Sequence, residues 1–530
     1  LLGRISGDYY CQPEFRVDVQ AQVLGGKIEG AYQGHTKDNR NVGGRRPVQS
    51  DVKGTLTGRV VTQQELRKAN GIASVHDWPW HRGQFCNGSA PDCGRPLVEK
   101  FADARLLWLS EEGFTGAYRS YTFGGYGGPV VADGKVFVYY SRSHDKIIPP
   151  DRPVPNFAAS PEHLRWRNAL DGEERVVCVD AATGRTLWRA SWPGMNYTIL
   201  DKGGHHTMPC VADGKVLVQS GMFTVYALDA NSGALLWSWA DSAAAQSQLR
   251  RCAALAAGQM PNIEDKQQFN NTPPMVADGV LMIRGNGDGP AGLAVADGRV
   301  LWDKAKRIFV PGGMPLRWVH GGKEYFVVGG HTAVEPRTGR VLWRIKDLKG
   351  GGPPYAAALT ENHLITGQPL SCYRITPSEA SLLWRLPEDH NLYTGHASPT
   401  CPMVYDGHVY AYLQLDRLMD PKKLAMVAVD LATGEVRGRI DGDCGMFFSP
   451  MATSGRIVSH DGSQFLKTLP GFMKFAPIPR ERTIHALGAA AAVADGRYFA
   501  RVGWGCTGLV CYDLRTGEES LQRRAGTRSP

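Results

Sequence analysis

The chain has 530 residues with 63 glycines and 33 prolines, about 18% of the total against the ~12% of an average protein. With 42% hydrophobic residues and no Gly-X-Y period it is neither collagen-like nor disordered, and such dense turn chemistry excludes a helical bundle. Sixty basic against 51 acidic residues give a net charge of +9, yet no run of five basic residues occurs, so nucleic acid is not an expected partner.

In chain order, the sequence opens on Leu1-Leu2-Gly3 with neither Met nor a charged leader, and reads as a mature or a trimmed form in which any export signal is not visible. Residues 1–75 form a small β module. FRVDVQAQVLGGKIEGAYQG (15–34) alternates as two strands around Gly25-Gly26, VKGTLTGRVV (52–61) adds a third, and QQELRKANG (63–71) is helix-like. This module holds 11 Lys/Arg against 7 Asp/Glu, so almost half of the positive surplus lies outside the remainder, 76–530. Eleven cysteines follow two informative spacings: Cys86 and Cys93 bracket CNGSAPDC, and Cys506 and Cys511 are placed to face one another across a hairpin. Both spacings permit local disulfides and an oxidising compartment; isolated buried thiols are the other reading. ARLLWLS (104–110) is a strand with no partner nearby in the sequence.

Two phrases then recur. The first is an apolar stretch, Asp-Gly and an alternating strand, as in VVADGKVFVYY (130–140), CVADGKVLVQ (210–219), MVADGVLMI (275–283), MVYDGHVYAYL (403–413) and AVADGRYFARV (492–502). Asp-Gly between β-rich runs specifies a hairpin, because type I′ turns need positive φ at both central residues. The second phrase is a strand, a polar turn ending in Gly and a strand closing on Trp, as in VVCVDAATGRTLW (176–188) and VYALDANSGALLW (225–237). Together they describe a four-stranded antiparallel meander, found at 129–192, 208–240, 273–305, 315–346, 355–387, 398–441, 449–472 and 488–519. Eight such sheets bury their faces only in a ring, so the expected fold is all-β, an eight-bladed β-propeller behind a small N-terminal β module. The last meander ends without a fourth strand, and 104–110 with Trp108 supplies one, closing the ring from the N-terminal side. Trp108, Trp188, Trp237, Trp302, Trp343 and Trp384 share one repeat position and read as inter-blade packing. Insertions at 143–174 and 241–270 interrupt the blades, the second with a helical pattern. The longest apolar run, Ala486–Ala494, falls far short of the ~20 residues of a membrane span.

The D-x-x-T-G-x-x-x-W repeat resembles that of the pyrroloquinoline-quinone-type eight-bladed propellers, which include quinoprotein alcohol dehydrogenases and the outer-membrane-assembly scaffold lipoprotein. The entry segment DWPWHRGQFCNG (77–88) is similar to the lead-in of propellers abundant in planctomycete-like bacteria. The resemblance covers roughly 77–520 and implies the fold and a periplasmic or secreted location. The dehydrogenases of this kind carry adjacent cysteines above the quinone, and a Glu, an Asn and an Asp-rich motif for their metal. No Cys-Cys, no matching metal set and no C-x-x-C-H occurs here, so pyrroloquinoline quinone is not expected. H-E-x-x-H, a Walker loop and G-x-S-x-G are also absent, and Asp441-Gly442-Asp443 is a polar turn before it is a calcium ligand.

What remains is positional. Residues just before each innermost strand open onto one end of the channel, and they include Tyr126, His205-His206, Arg317, Tyr355, His396 and His485. Tyr118, Arg119, Tyr121, Asn270 and Asn271 fall in the same phase. Neutral imidazoles of His206, His396 and His485 suit Zn²⁺ or Mn²⁺. Alternatively a His or Tyr removes the C5 proton of a uronic acid while Arg317 neutralises its carboxylate. The leading expectation is therefore a lyase that cleaves acidic polysaccharide by β-elimination, with catalytic residues His205, His206, His396, His485, Tyr126, Arg317 and Tyr355. A non-catalytic scaffold holding a protein partner stands nearly level with it, and a quinone-dependent dehydrogenase is third.

Overall fold

The Asp-Gly pairs set the fold. Asp133-Gly134, Asp213-Gly214, Asp278-Gly279, Asp406-Gly407 and Asp495-Gly496 adopt φ of 47–49° at Asp and 67–70° at Gly, the type I′ geometry that matches strand twist. The computed structural model describes residues 2–7, 14–24, 27–38, 48–59, 78–111, 127–143, 172–194, 207–220, 223–240, 273–283, 289–303, 314–346, 357–392, 400–415, 423–442, 450–459, 465–472, 491–502 and 508–516, with a few single positions between 246 and 348.

Each turn joins the two innermost strands of a blade. From the axis outward, blade 1 comprises Val130–Ala132, Lys135–Ser143, Gly172–Asp180 and Thr186–Pro193. Blade 2 comprises Cys210–Ala212, Lys215–Gln219, Thr224–Asp229 and Leu235–Ala240. Blade 3 has Met275–Ala277, Val280–Ile283, Ala291–Ala294 and Val300–Trp302; blade 4 has Pro315–His320, Lys323–Val328, Thr332–Glu335 and Arg340–Arg344. Blade 5 has Ala358–Leu359, His363–Thr366, Ser371–Ile375 and Ala380–Arg385. Blade 6 has Met403–Tyr405, His408–Gln414, Leu424–Asp430 and Val436–Asp441. Three strands of blade 7 are described, Met451–Thr453, Arg456–Val458 and Phe465–Lys467. Blade 8 has Ala492–Ala494, Arg497–Val502 and Gly508–Asp513, and its outermost strand is Arg105–Leu109 from the other end of the sequence. The innermost strand of blade 8 touches that of blade 1, closing the ring.

The tryptophans lock neighbours together. The indole N–H of Trp188 donates to Ala230 O at 3.2 Å, Trp237 to Val295 O at 3.0 Å, Trp302 to Pro336 O at 2.7 Å, Trp343 to Thr376 O at 2.7 Å and Trp384 to Leu431 O at 2.8 Å. Trp108 does the same across the closure, donating to Ala181 O of blade 1 at 3.0 Å. Each ring lies on the next blade's turn. At Gly298 (φ 75°) a Cβ would stand 2.6 Å from the Trp237 ring, so neither the conformation nor the space admits another residue. The repeat's Asp and Thr build that turn: Asp180 Oδ1 accepts the Ala182 and Thr183 N–H groups and the Thr183 hydroxyl, and Asp229/Ser232 and Asp430/Thr433 repeat the arrangement. The repeat signature is thus spent on turns and packing.

A ninth sheet precedes the propeller, ordered Leu2–Gly7, Glu14–Leu24, Lys27–Asp38, Val48–Arg59 and antiparallel throughout. It has one strand more than the sequence pattern shows. In the 241–270 insertion the described residues Gln246, Arg250, Ala253 and Ala254 are helical. No helix among the described residues is long and apolar enough to cross a membrane.

Candidate functional site

The centre of the ring is filled by the chain itself. Trp78 pairs through both backbone groups with Val131 of blade 1 (2.8 and 2.9 Å), and Pro79 O accepts Val211 N–H of blade 2 at 2.9 Å. Cys86 O accepts Leu359 N–H of blade 5 at 3.3 Å, and Asn87 O accepts Val404 N–H of blade 6 at 3.0 Å. Gly88 O and Ala90 N–H pair with Ala452 of blade 7 at 2.9 and 2.8 Å. One segment, 78–90, therefore bonds the innermost strands of blades 1, 2, 5, 6 and 7, which places it on the axis as a plug. It leaves past blade 7, where Asp92 accepts Ser454 N–H (2.8 Å) and the Tyr405 hydroxyl (2.7 Å), and reaches the closing strand after Val98 N–H bonds Leu514 O at 2.7 Å.

Tight bends let so short a segment turn inside the ring, with φ of 71° at Arg82, 75° at Gly83, 53° at Cys86 and 77° at Gly88. Arg82 is 3% exposed, and its guanidinium donates to Pro402 O of blade 6. Gly88 must lack a side chain, since a Cβ would stand 2.7 Å from Arg82 Nη2. His81 is buried beside it with Nε2 unpartnered among the described residues. Burial first, and the Arg82 charge second, push its pKa down to about 3, so the imidazole is neutral. Burial pushes the Cys86 thiol up to about 11. A buried cation is tolerated only with a close acceptor, so Arg82 pins the plug at one orientation.

Beside the plug, on the side of the Asp-Gly turns, a cavity of about 1070 Å³ is lined by Trp80, Asp278, Arg317, Glu324, Tyr325 and Arg337 among others. Arg317 pairs with Glu324, and its guanidinium carbon lies 5.4 Å from the centre of the Trp80 ring. Glu324 also accepts Asp278 N–H at 2.6 Å, and Arg337 clamps the Asp278 carboxylate at 2.7 and 3.0 Å. Burial raises the Glu324 pKa, but the Arg317 and Asp278 hydrogen bonds outweigh it and hold the carboxyl below its usual range. This network ties blades 3 and 4 to the plug.

Of the residues expected at the channel mouth, Arg317 is described. It lies within the innermost strand Pro315–His320 rather than ahead of it, with its charge committed to Glu324. Tyr126, His205, His206, Tyr355, His396 and His485 lie outside the described residues, as do Tyr118, Arg119, Tyr121, Asn270 and Asn271. Among the described residues no group of His, Cys, Asp and Glu is assembled to hold a metal. Asp441 pairs with Arg439 at 2.6 Å, and Asp443 is outside the described residues. Trp318 is buried in the core with its N–H on Glu361 O at 2.8 Å. Of the described cations beside the plug, Arg82 donates to Pro402 O and Arg317 pairs with Glu324.

The local disulfide that the Cys86/Cys93 spacing permits does not form: both thiols are free, as is Cys511. Cys86 faces the core of blades 3 to 5, whereas Cys93 sits against Ser454 and Gly496 of blades 7 and 8. The plug itself was missed by sequence reasoning. Its one signal is the cluster of aromatic and positive-φ residues in WPWHRGQFCNG, outside any blade.

The model of the family described as "Outer membrane protein assembly factor BamB" matches residues 102–267 and 172–346. No curated protein matches. Similar solved structures include BamB from Moraxella catarrhalis (13% identity, covering 65% of this chain and 81% of that one, TM-score 0.34). They also include quinohemoprotein alcohol dehydrogenase from Comamonas testosteroni (14%, 86% and 83%, 0.46) and a europium-containing methanol dehydrogenase (10%, 84% and 92%, 0.48). The repeat that seats each tryptophan on its neighbour's turn is the pyrroloquinoline-quinone-type repeat, and this chain is an eight-bladed β-propeller built on it.

Proposed function

We propose that this chain is a non-catalytic extracytoplasmic scaffold, of the outer-membrane-assembly type, that holds a protein partner on the surface of its propeller. The observation that carries this reading is the plug. A channel enzyme needs an open axial cavity with unpaired reactive groups, and here residues 78–90 occupy the turn-side centre, with Arg82 hydrogen-bonded to the Pro402 carbonyl and Arg317 paired with Glu324. The family model over 102–346 supports the same reading, and no comparison points to the lyase. With residues 78–90 in the turn-side centre, the turn-side groove, the loops and the outer strands are the surfaces offered to a partner.

Photo-cross-linking tests it. A photoreactive residue at exposed Lys323, beside the groove, gives a discrete adduct with an outer-membrane protein in cells that export the chain. Dye-linked alcohol oxidation after loading with quinone and calcium, or unsaturated ends released from uronate polysaccharides, overturns the reading.

A further inference from the structure

The outermost strand of each blade carries an edge of unpaired backbone groups, and proteins blunt such edges by shortness, charge or proline. Most edges here obey. Arg189 interrupts the edge of blade 1, Arg340 and Arg344 flank that of blade 4, and Arg385 ends that of blade 5. Arg437, Arg439 and Asp441 charge the edge of blade 6, Arg105 opens that of blade 8, and the blade 3 edge, Val300–Trp302, is only three residues long. Blade 2 is the exception among the described edges. Leu235–Ala240, LLWSWA, has six residues with no charge and no proline.

Its inner side is paired with Thr224–Asp229 and its outer side with no described strand. Leu235 and Leu236 are 58% and 48% exposed, and Ser238 and Ala240 are exposed as well. Trp237 and Trp239 lean toward the cluster shared with blade 3, and the Trp237 N–H is used on Val295. The outward surface is therefore small, uncharged and backed by two fixed indoles. We propose that this edge is a docking site for an extended, uncharged β-strand segment of a partner protein, which adds to blade 2 as a fifth strand. Main-chain hydrogen bonds supply affinity in such an addition, and alternate side chains supply selectivity. A second copy of the chain is not the occupant, because six residues of edge fall far short of the ~1,200 Å² that a stable dimer buries. The inference rests on the binding-protein reading and names the kind of partner.

The probe is a fluorescent peptide carrying Thr224–Leu228, uncharged over the segment that pairs and made soluble by lysines beyond it, the side-chain pattern this strand already accepts on its inner side. Titrated against the full chain, it binds saturably, and the amides of 235–240 become slower to exchange. Ser238→Lys and Leu236→Lys, which charge the edge, weaken binding by about tenfold or more, while Ser238→Ala leaves it unchanged. No saturable binding, or equal binding by the lysine variants, overturns the proposal. The cross-linking at Lys323 reports on the binding reading and this titration on the edge alone, so the two fail separately.

Discussion

The inner and outer rings of the propeller solve opposite problems. The innermost strands are short and nearly all buried, and those of blades 1, 2, 5, 6 and 7 are bonded on both sides, outward to their own blade and inward to the plug. The outermost strands are half exposed, bonded on one side only, and differ from blade to blade in length and charge. The inner ring is thus held to one solution by packing, whereas the outer ring is where this chain is free to be distinctive.

The largest effect expected is at the plug. Arg82→Ala leaves a cavity and an unpaired Pro402 carbonyl, and lowers stability by about 3–5 kcal/mol in chemical denaturation, a loss no outer-strand surface change approaches. Trp188→Ala removes one inter-blade lock and costs about 3 kcal/mol by the same measurement.

The third prediction is a pH dependence. The His81 pKa falls from 6.5 in the unfolded chain to about 3 in the folded one, so the unfolded state takes up protons first as pH drops. Its contribution is complete above pH 6.5 and is lost progressively toward pH 3, reaching roughly 2 kcal/mol of lost stability by pH 5. Denaturation midpoints between pH 7 and 5 show this slope, and His81→Leu flattens it. The smallest effect is Ser238→Lys, which shifts stability by less than about 0.5 kcal/mol because the side chain points to solvent.

The blades were legible because their signals are local. Asp-Gly fixes a hairpin within four residues, and the Trp108 strand could be matched to the incomplete blade 8 because its tryptophan carries the repeat's mark. The strand Leu2–Gly7 was not legible, since its partners, such as Gln20 for Leu2, lie well along the chain and its own alternation is weak. The plug was illegible for the same reason on a larger scale. Arg82 meets Pro402 across 320 positions, and nothing in residues 78–90 states that five blades will bond to them. Arg317 was read as a channel-mouth residue from its place ahead of a hairpin; only the fold reveals Glu324 across the turn and Trp80 beneath. The other six candidates lie outside the described residues.

Hydrogen exchange on the innermost strands tests the central claim most directly. If residues 78–90 plug the ring, the amides of Val211, Val404 and Ala452, which donate to that segment, exchange as slowly as the strand pairs of the blade core. Exchange of those amides as fast as the free edge Leu235–Ala240 would mean an open axis, and would contradict the account.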